Sequence, residues 1–334
     1  MKTRLVRLAI FAFLILSFGM STVLVGVSGY GYNILARVGS CGQVGEPGFG
    51  VTPANFTVPV PDAAAYRMPN YQPVQFPTRG GKIIIRGWYV PADVPRASTI
   101  IVVHSLSSCK AGGAMLLAAG MLHRAGFSAL LIDLRNHGDS DKDNGLQAMG
   151  TKEYLDVLGA WDWLIREKSI RQDQIGLLGF SLGAASVIDA GGVEPRVSAV
   201  WADSPFYSAD EEIDYQVRSM GVLGSLKPLA LLAGRVIYGD NLSNSALQPA
   251  EMVSRFGNRF LFITQGTDDT QIPSTHLGQL IDAAYRANVS VQSWLAPGSQ
   301  HISAIFDRAG EYNRRLVEFF STALKGADPS DLFF

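Results

Sequence analysis

The stretch Gly179-Phe180-Ser181-Leu182-Gly183 decides the fold, because it stands between two runs of different character. Residues 175–178 before it have the apolar composition of a buried strand, and residues 184–189 after it have that of a helix built of small side chains. A G-x-S-x-G pattern in this context is typical of a nucleophile elbow, a tight turn that presents a serine at the end of a strand. Flanking glycines permit the strained backbone, and the following helix directs N–H groups at a developing oxyanion. The sequence therefore predicts that Ser181 is a nucleophile.

Strand and helix patterns alternate on both sides of this turn. Buried strands that alternate with helices predict an α/β protein with a doubly wound, mostly parallel sheet. The alternation stops between about residues 204 and 258, a helical and partly very apolar stretch. We interpret it as a cap insertion over the site, with simple packing on the core as the alternative. The predicted strands are 83–90, 99–103, 128–133, 175–178, 197–202, 259–264 and 290–295, and the predicted helices are 113–124, 151–168, 274–286 and a last one that ends near 324.

The N-terminal segment is basic over residues 1–7 and then uncharged over residues 8–27. About twenty apolar residues suffice to cross a bilayer as a helix. We interpret residues 1–29 as a membrane anchor in preference to a cleaved signal peptide, for which residues 27–29 are a poor cleavage site. The preceding positive charges orient the N-terminus inward, so the catalytic domain is expected on the extracytoplasmic side, or secreted if the segment is cleaved.

Two further boundaries follow from composition. Residues 30–77 are rich in Gly and Pro and predict a spacer. Residues 78–326 are expected to form the main α/β domain, with 47% hydrophobic residues in the whole chain of 334 giving ample material for a core. The net charge of −1, without blocks of like charge, argues against a nucleic-acid partner. Cys41 and Cys109 lie far apart in the chain and are interpreted as unpaired residues. No metal-ligand cluster is evident, and no cofactor or metal is expected.

A serine nucleophile needs a base to take its proton and an acid to orient that base. In this kind of fold both are expected after the elbow, in the order serine, acid, histidine. Asp268 and Asp269 follow the strand 259–264, and His301 follows the strand 290–295. His276 is the rival histidine on chain order, and Asp203, after the strand 197–202, is the alternative acid.

Several separate motifs resemble those of α/β-hydrolases over about residues 80–324. The resemblance is to the serine-hydrolase branch that includes membrane-anchored Bem46-like proteins and esterases related to prolyl oligopeptidase. Because the motifs occur in the family's order, they are more specific together than any one alone. They are Val103-His104-Ser105-Leu106 at the oxyanion position, Asp133-Leu-Arg-Asn-His-Gly-Asp-Ser140, the elbow itself, Gly266-Thr-Asp-Asp-Thr-Gln-Ile-Pro273 and Gly298-Ser-Gln-His301.

The resemblance implies roles for individual residues. Ser181 corresponds to the nucleophile and His301 to the general base. The motif G-x-x-D-x-x-I-P assigns the acid to Asp269, four residues before Pro273, with Asp268 as its competitor. The family also implies hydrolysis of a carboxylic ester or thioester of a small-molecule or acyl substrate through an acyl-enzyme.

The oxyanion hole is expected to use the backbone N–H of Leu182 and one from the loop after His104, either Leu106 or Ser105. Ser105 departs from the family, which usually has glycine there. Among the other histidines, His104 and His137 are expected to hold loops through hydrogen bonds, and His123 to lie on a helix surface. Two other functions stay open: a serine peptidase or acyl-aminoacyl hydrolase, and a non-catalytic binding scaffold.

Overall fold

The computed structural model describes residues 2–42, 45, 48–218, 227–239, 242 and 246–324. Parts of the predicted cap insertion, and the predicted domain boundary at residue 326, lie outside the described residues. Helices and strands alternate along most of the described chain. The helices are α1 (Lys2–Ala36), α2 (Gly113–Arg124), α3 (Tyr154–Glu167), α4 (Leu182–Val193), α5 (Ala209–Arg218), α6 (Lys227–Ala233), α7 (Pro249–Met252), α8 (Thr275–Arg286), α9 (Ala304–Asp307) and α10 (Ala309–Ala323).

The described strands form one sheet of eight. Across the sheet they run in the order β1-β2-β4-β3-β5-β6-β7-β8. The pairs β1–β2 and β2–β4 are antiparallel and the other pairs are parallel, as a mostly parallel doubly wound sheet requires. The strands are β1 (Gln72–Pro77), β2 (Ile84–Val90), β3 (Thr99–Val103), β4 (Ser128–Ile132), β5 (Ile175–Phe180), β6 (Ala199–Asp203), β7 (Phe260–Gly266) and β8 (Gln292–Ala296).

The sheet is buried on both faces, which explains its continuous apolar strands. One face packs against α3, α4 and α8 around Trp161. The other face packs against α2 and α10, where the Trp201 and Phe262 rings stack with centroids 3.9 Å apart. Burial of these two apolar layers stabilises the domain and fixes the carboxyl ends of the parallel strands at one edge.

The N-terminal helix α1 contains the apolar segment Ile10–Ile34, which is long and apolar enough to cross a membrane by length and composition. Its last turns pack into the α/β body, because Tyr32 and Ala36 are fully buried there. Two backbone hydrogen bonds hold the end of α1 and the residues after it to the segment 145–147: Gln147 N donates to Ala36 O at 2.7 Å, and Val38 N donates to Gly145 O at 3.2 Å.

The prediction that the two cysteines are unpaired is wrong, because Cys41 and Cys109 form a disulfide across 68 residues of sequence. The long helix α1 and the segment that follows it bring Cys41 back to the loop after β3, a contact between distant parts of the chain that sequence spacing does not reveal. The predicted spacer is also more ordered than expected. It contains β1, which joins the sheet at its edge before the predicted domain start at residue 78.

Candidate active site

Ser181 occupies the tight turn between β5 and α4, with φ 53° and ψ −114°. Such a backbone conformation is strained for a residue other than glycine and persists only where its surroundings enforce it. Here the Ser181 N–H donates to Asp203 O at 2.8 Å. A Cβ at Gly179 would collide with the Gly183 backbone, and one at Gly183 would collide with the carbonyls of Val103 and His104. Both glycines are therefore required for this turn to pack.

Asp269 lies in the loop after β7 with its side chain fully buried. Its Oδ2 accepts hydrogen bonds from His301 Nδ1 at 2.8 Å and from Gln265 Nε2 at 2.7 Å. Its Oδ1 accepts from the backbone N–H groups of Gln271 and Ile272, both at 2.9 Å. Because a carboxylate can only accept, Nδ1 of His301 carries a proton, and Nε2 is left as the basic nitrogen.

The loop that carries His301 reaches back over the end of β6. Ile302 N donates to Ser204 Oγ at 3.4 Å, and Ser204 directly follows Asp203, the residue whose carbonyl receives the Ser181 N–H. His301 and Ser181 thus come to the same strand end, although no hydrogen bond between them is among those described. Contacts of this type are often long in free enzymes and shorten when substrate binds.

The competing residues have other partners. Asp268 is exposed and its Oδ1 accepts from the hydroxyl of Thr267. His276 Nδ1 accepts the N–H of Tyr207 at 2.9 Å, and burial lowers the pKa of His276. The structure therefore brings Asp269, and neither of these residues, into contact with His301.

Asp203 is buried behind the site as a supporting group. Its two oxygens accept from Ser204 Oγ at 2.9 Å and from the Tyr312 hydroxyl at 2.8 Å. Burial raises the pKa of Asp203 to about 6, against the lowering effect of these two hydrogen bonds. Asp203, the alternative acid, therefore has its two carboxyl oxygens hydrogen-bonded to Ser204 and Tyr312.

The sequence did not single out Glu212 of α5, which is buried beside the site. Burial raises the pKa of Glu212 to about 7, and the nearby charge of His301 acts against that rise. Gln216 Nε2 donates to its Oε1, whereas Oε2 has no hydrogen-bond partner among the described residues. Three consecutive acidic residues at 210–212 look like an exposed helix start, so the sequence carries no signal for this burial.

The loop after β3 is held by His104. The Leu134 N–H donates to His104 Nε2 at 3.0 Å, so Nδ1 carries the proton and donates to Ser105 O at 2.8 Å. Ser108 N also donates to Ser105 O. In a trans peptide the N–H lies opposite the carbonyl, so the Leu106 N–H points away from the side on which His104 and Ser108 lie.

His137 also forms a hydrogen bond with the backbone. Its Nδ1 donates to Arg135 O at 2.8 Å, and its ring lies 4.7 Å from that of His104. Burial lowers the pKa of both histidines, which keeps them neutral. His123 lies on α2 with Nε2 3.9 Å from Asp93. The expected structural roles of His104 and His137 match these contacts.

One apolar cluster, which we call the apolar wall, includes a residue of the nucleophile helix α4. It contains Ala185 of that helix, one turn after Ser181, together with Met149, Phe206 and Ile272. Tyr32 of α1 belongs to the same cluster, so the N-terminal helix contributes to this wall. The described residues contain no group of three or more His, Cys, Asp or Glu side chains placed to hold a metal ion.

Comparisons with known proteins agree with this architecture. The sequence matches the model of the prolyl oligopeptidase family over residues 117–327. It is 29% identical over 143 residues to polyketide transferase af380 of Aspergillus fumigatus, which is 42% of this chain and 47% of that protein. It is 30% identical over 134 residues to polyketide transferase ATR5 of Stachybotrys chlorohalonatus, 40% of this chain and 43% of that protein. The matched region thus spans less than half of these curated relatives.

Solved structures share the fold. The esterase Pf2001 of Pyrococcus furiosus superposes with a TM-score of 0.65 at 21% identity, over 86% of this chain and 98% of the esterase. The acylaminoacyl peptidase of Pyrococcus horikoshii superposes with a TM-score of 0.60 at 15% identity, over 79% of this chain and 44% of the peptidase. At these identities the likeness establishes the α/β-hydrolase fold.

Proposed function

This chain belongs to the prolyl oligopeptidase family and is an α/β-hydrolase of the serine-hydrolase type, and we propose that it cleaves a carboxylic ester or thioester through Ser181, His301 and Asp269. The observation that carries the proposal is the partly buried hydrogen bond of 2.8 Å between His301 Nδ1 and Asp269 Oδ2, at the sheet edge where Ser181 stands in a strained elbow. A base oriented by a buried acid is what activates a serine hydroxyl at neutral pH.

The proposed reaction has two halves. Ser181 Oγ attacks the acyl carbon while His301 Nε2 takes its proton, and the bond to the leaving alcohol or thiol breaks as His301 returns that proton to it. A water molecule then attacks the acyl-enzyme with His301 again as the base, which releases the acid and restores Ser181. Asp269 keeps the imidazole in the tautomer with basic Nε2 and stabilises the imidazolium between the two proton transfers.

The oxyanion of both tetrahedral intermediates is proposed to bind the N–H groups of Leu182 and Leu106. Leu182 is the first residue of α4, so its N–H has no partner within the helix. The carbonyl of Ser105 is tied to His104 and Ser108, which fixes the direction of the Leu106 N–H on the opposite side of the same peptide. We therefore prefer Leu106 over Ser105 as the second donor.

A serine peptidase or acyl-aminoacyl hydrolase is the second candidate, because the family is named for peptidases and an acylaminoacyl peptidase shares the fold. The apolar wall of Met149, Phe206 and Ile272 favours an acyl chain over a peptide, whose backbone needs polar partners. Transfer of the acyl group to an acceptor other than water would use the same acyl-enzyme, as the names of the curated relatives suggest for those proteins.

The domain organisation and location are part of the proposal. We propose that residues 1–29 anchor the protein and that the hydrolytic domain lies on the extracytoplasmic side. The apolar segment Ile10–Ile34 and the basic residues before it support the anchor and its orientation. The Cys41–Cys109 disulfide supports an oxidising compartment for the domain. The mass of the mature protein tests this point, because a chain that begins near residue 30 would contradict the anchor.

Labelling with a fluorophosphonate probe tests the catalytic proposal. Wild type is expected to take up the probe, and Ser181→Ala is expected to take up none, with Ser186→Ala, in the same helix, as the control that labels normally. Esters and thioesters of graded acyl length, compared with peptide anilides, then identify the scissile bond. A folded wild type that takes no label would contradict the proposed activity and would favour the binding scaffold.

A further inference from the structure

Exposed apolar side chains are concentrated in one part of the described chain outside α1. Ten large apolar residues there are exposed, and three of them, Leu232, Val236 and Ile237, fall within six residues of α6 and the π-helix Gly234–Tyr238. We call these three residues the cap face. Their exposed fractions are 56%, 75% and 51%. The other seven are spread along the chain from residue 49 to residue 295, as single apolar residues on a soluble surface commonly are.

The cap face stands directly beside α1. The position of a Cβ on Gly29 would lie 3.5 Å from Ile237 Cδ1, and one on Gly31 would lie 3.9 Å from Ala230 Cβ. Gly234 packs so closely on the Tyr32 ring that any side chain there would collide with it. Glycines at this boundary let α1 and the cap approach closely. Because α1 and the cap are in contact, a bilayer that α1 crosses has the cap at the bilayer surface.

The depth of this contact follows from helix geometry. The apolar segment Ile10–Ile34 has 25 residues, which at 1.5 Å each is roughly 37 Å, longer than the ~30 Å hydrocarbon core. A core centred on this segment would extend about ten residues either side of residue 22, to about residue 32. The contacts to the cap at Gly29, Gly31 and Tyr32 fall within the last turn of that interval.

From this placement we propose that the cap face inserts into the outer edge of the bilayer that α1 crosses. The inference rests on the anchoring role proposed for α1 and is independent of the catalytic residues. Arg235, exposed between the apolar positions, fits the same environment, because its long side chain can reach the headgroup phosphates while its neighbours stay in lipid.

A second copy of this chain is the competing occupant of the cap face. Stable interfaces bury roughly 800 Å² on each partner and use about 20–30 residues a side. Three side chains in six residues fall well short of that, whereas they are sufficient for shallow insertion beside a helix that already crosses the membrane. Transfer of an apolar side chain from water into lipid is favourable, so each residue of the cap face adds to the membrane contact.

A single fluorescent label measures whether the cap face touches lipid. The two natural cysteines of the sequence are bonded to each other, so an introduced cysteine is the only free thiol. The full chain with Val236→Cys is labelled with the fluorophore NBD and reconstituted into phosphatidylcholine vesicles, with and without lipids that carry a doxyl quencher on the acyl chain. Leu16→Cys in α1 marks the membrane interior, and Tyr285→Cys on α8, 80% exposed, is the matched control for water.

The proposal predicts that doxyl lipids quench the label at Val236 at least about threefold more than the label at Tyr285, with Leu16 quenched as well. Quenching at Leu16 with none at Val236 would overturn the insertion of the cap face and leave the anchor intact. Absence of quenching at Leu16 would overturn the anchor and the insertion together, without touching the catalytic proposal. The NBD fluorescence at Val236 could instead be insensitive to doxyl lipid and change when the labelled protein is diluted with unlabelled protein. That result would assign the cap face to a second copy of the chain and would also overturn the proposal.

Discussion

The two sides of the candidate site are held in place by different interactions. On the sheet side, Ser181, Asp269 and His301 follow the ends of β5, β7 and β8, and hydrogen bonds to backbone and buried side chains fix them. On the opposite side, the apolar wall is held by side-chain packing, with the disulfide from Cys41 to Cys109 tying the end of the N-terminal segment to the loop after β3.

This difference separates reactivity from substrate choice. The sheet side holds the proposed catalytic groups, and it has little freedom because buried hydrogen bonds are expensive to break. The wall is proposed to select the acyl group, and its parts come from α1, the cap and the loop near Met149, which are distant in sequence. Changes on the sheet side should therefore abolish chemistry, while changes on the wall side should alter stability or access.

Removal of the carboxylate on the sheet side should have the largest effect. Asp269→Asn keeps the shape but offers an amide to His301, so the imidazole loses the tautomer with basic Nε2. The expected loss in kcat is about 10³–10⁴-fold, with KM nearly unchanged. Asp268→Asn is the matched control and should keep full activity, because Asp268 is exposed and bonded to Thr267. Equal losses in the two variants would refute the assignment of the acid.

Removal of the disulfide should have the next largest effect, on stability. The bond closes a loop of 68 residues, and the chain-entropy model gives about 4 kcal/mol for a loop of that length. The variant Cys41→Ser with Cys109→Ser should unfold at a lower temperature in detergent, with kcat on a water-soluble ester reduced far less than in Asp269→Asn. A reductant should lower the melting temperature of wild type and leave that of the double variant unchanged. Insensitivity of wild type to reductant would contradict the stabilising role.

The sheet side could be predicted from the sequence because its determinants are local. The apolar run before Ser181 and the small residues after it define the turn by themselves, and the structure has the elbow there. The resemblance to the family motif favoured Asp269 over its neighbour Asp268, and in the structure His301 donates a hydrogen bond to Asp269. The fold class followed from the same alternation of strands and helices and is confirmed.

The wall side could not be predicted because it depends on contacts between distant segments, and the same holds for strand β1 and for the burial of Glu212. The Gly/Pro-rich stretch hid β1, since Pro73 and Pro77 argue against a strand, yet an edge strand tolerates proline where the missing N–H faces solvent. Tyr32 lies in a helix whose composition indicates only a membrane segment. Glu212 lies in an acidic turn, and such a turn predicts exposed side chains. Burial of each follows from tertiary packing that no periodicity encodes.

Glu212 gives the third prediction, on pH dependence. Its pKa in the folded protein is about 7, raised from 4.5, so the folded state binds more protons than the unfolded state between about pH 4.5 and 7. The free energy of unfolding should therefore decrease as pH rises through that window, by about 3 kcal/mol from this group. Glu212→Gln removes the titration. Its melting temperature should match wild type at pH 5 and exceed it at pH 8, and a constant difference at all pH values would count against the assignment.

The smallest expected effect comes from a change on the cap face. It should differ between a substrate dissolved in water and a substrate dissolved in the membrane. Val236→Asp places a charge at an exposed position of the cap face, so hydrolysis of a water-soluble short-chain ester should be unchanged. Hydrolysis of a long-chain ester dissolved in vesicles should fall about tenfold, because burial of one apolar side chain contributes about 1.5 kcal/mol. Tyr285→Asp, at an exposed position of α8, is the control and should leave both rates unchanged. A loss with both substrates would mean that the cap face supports the fold of the site, whereas a loss confined to the vesicle substrate would mean that the acyl group reaches Ser181 from the membrane.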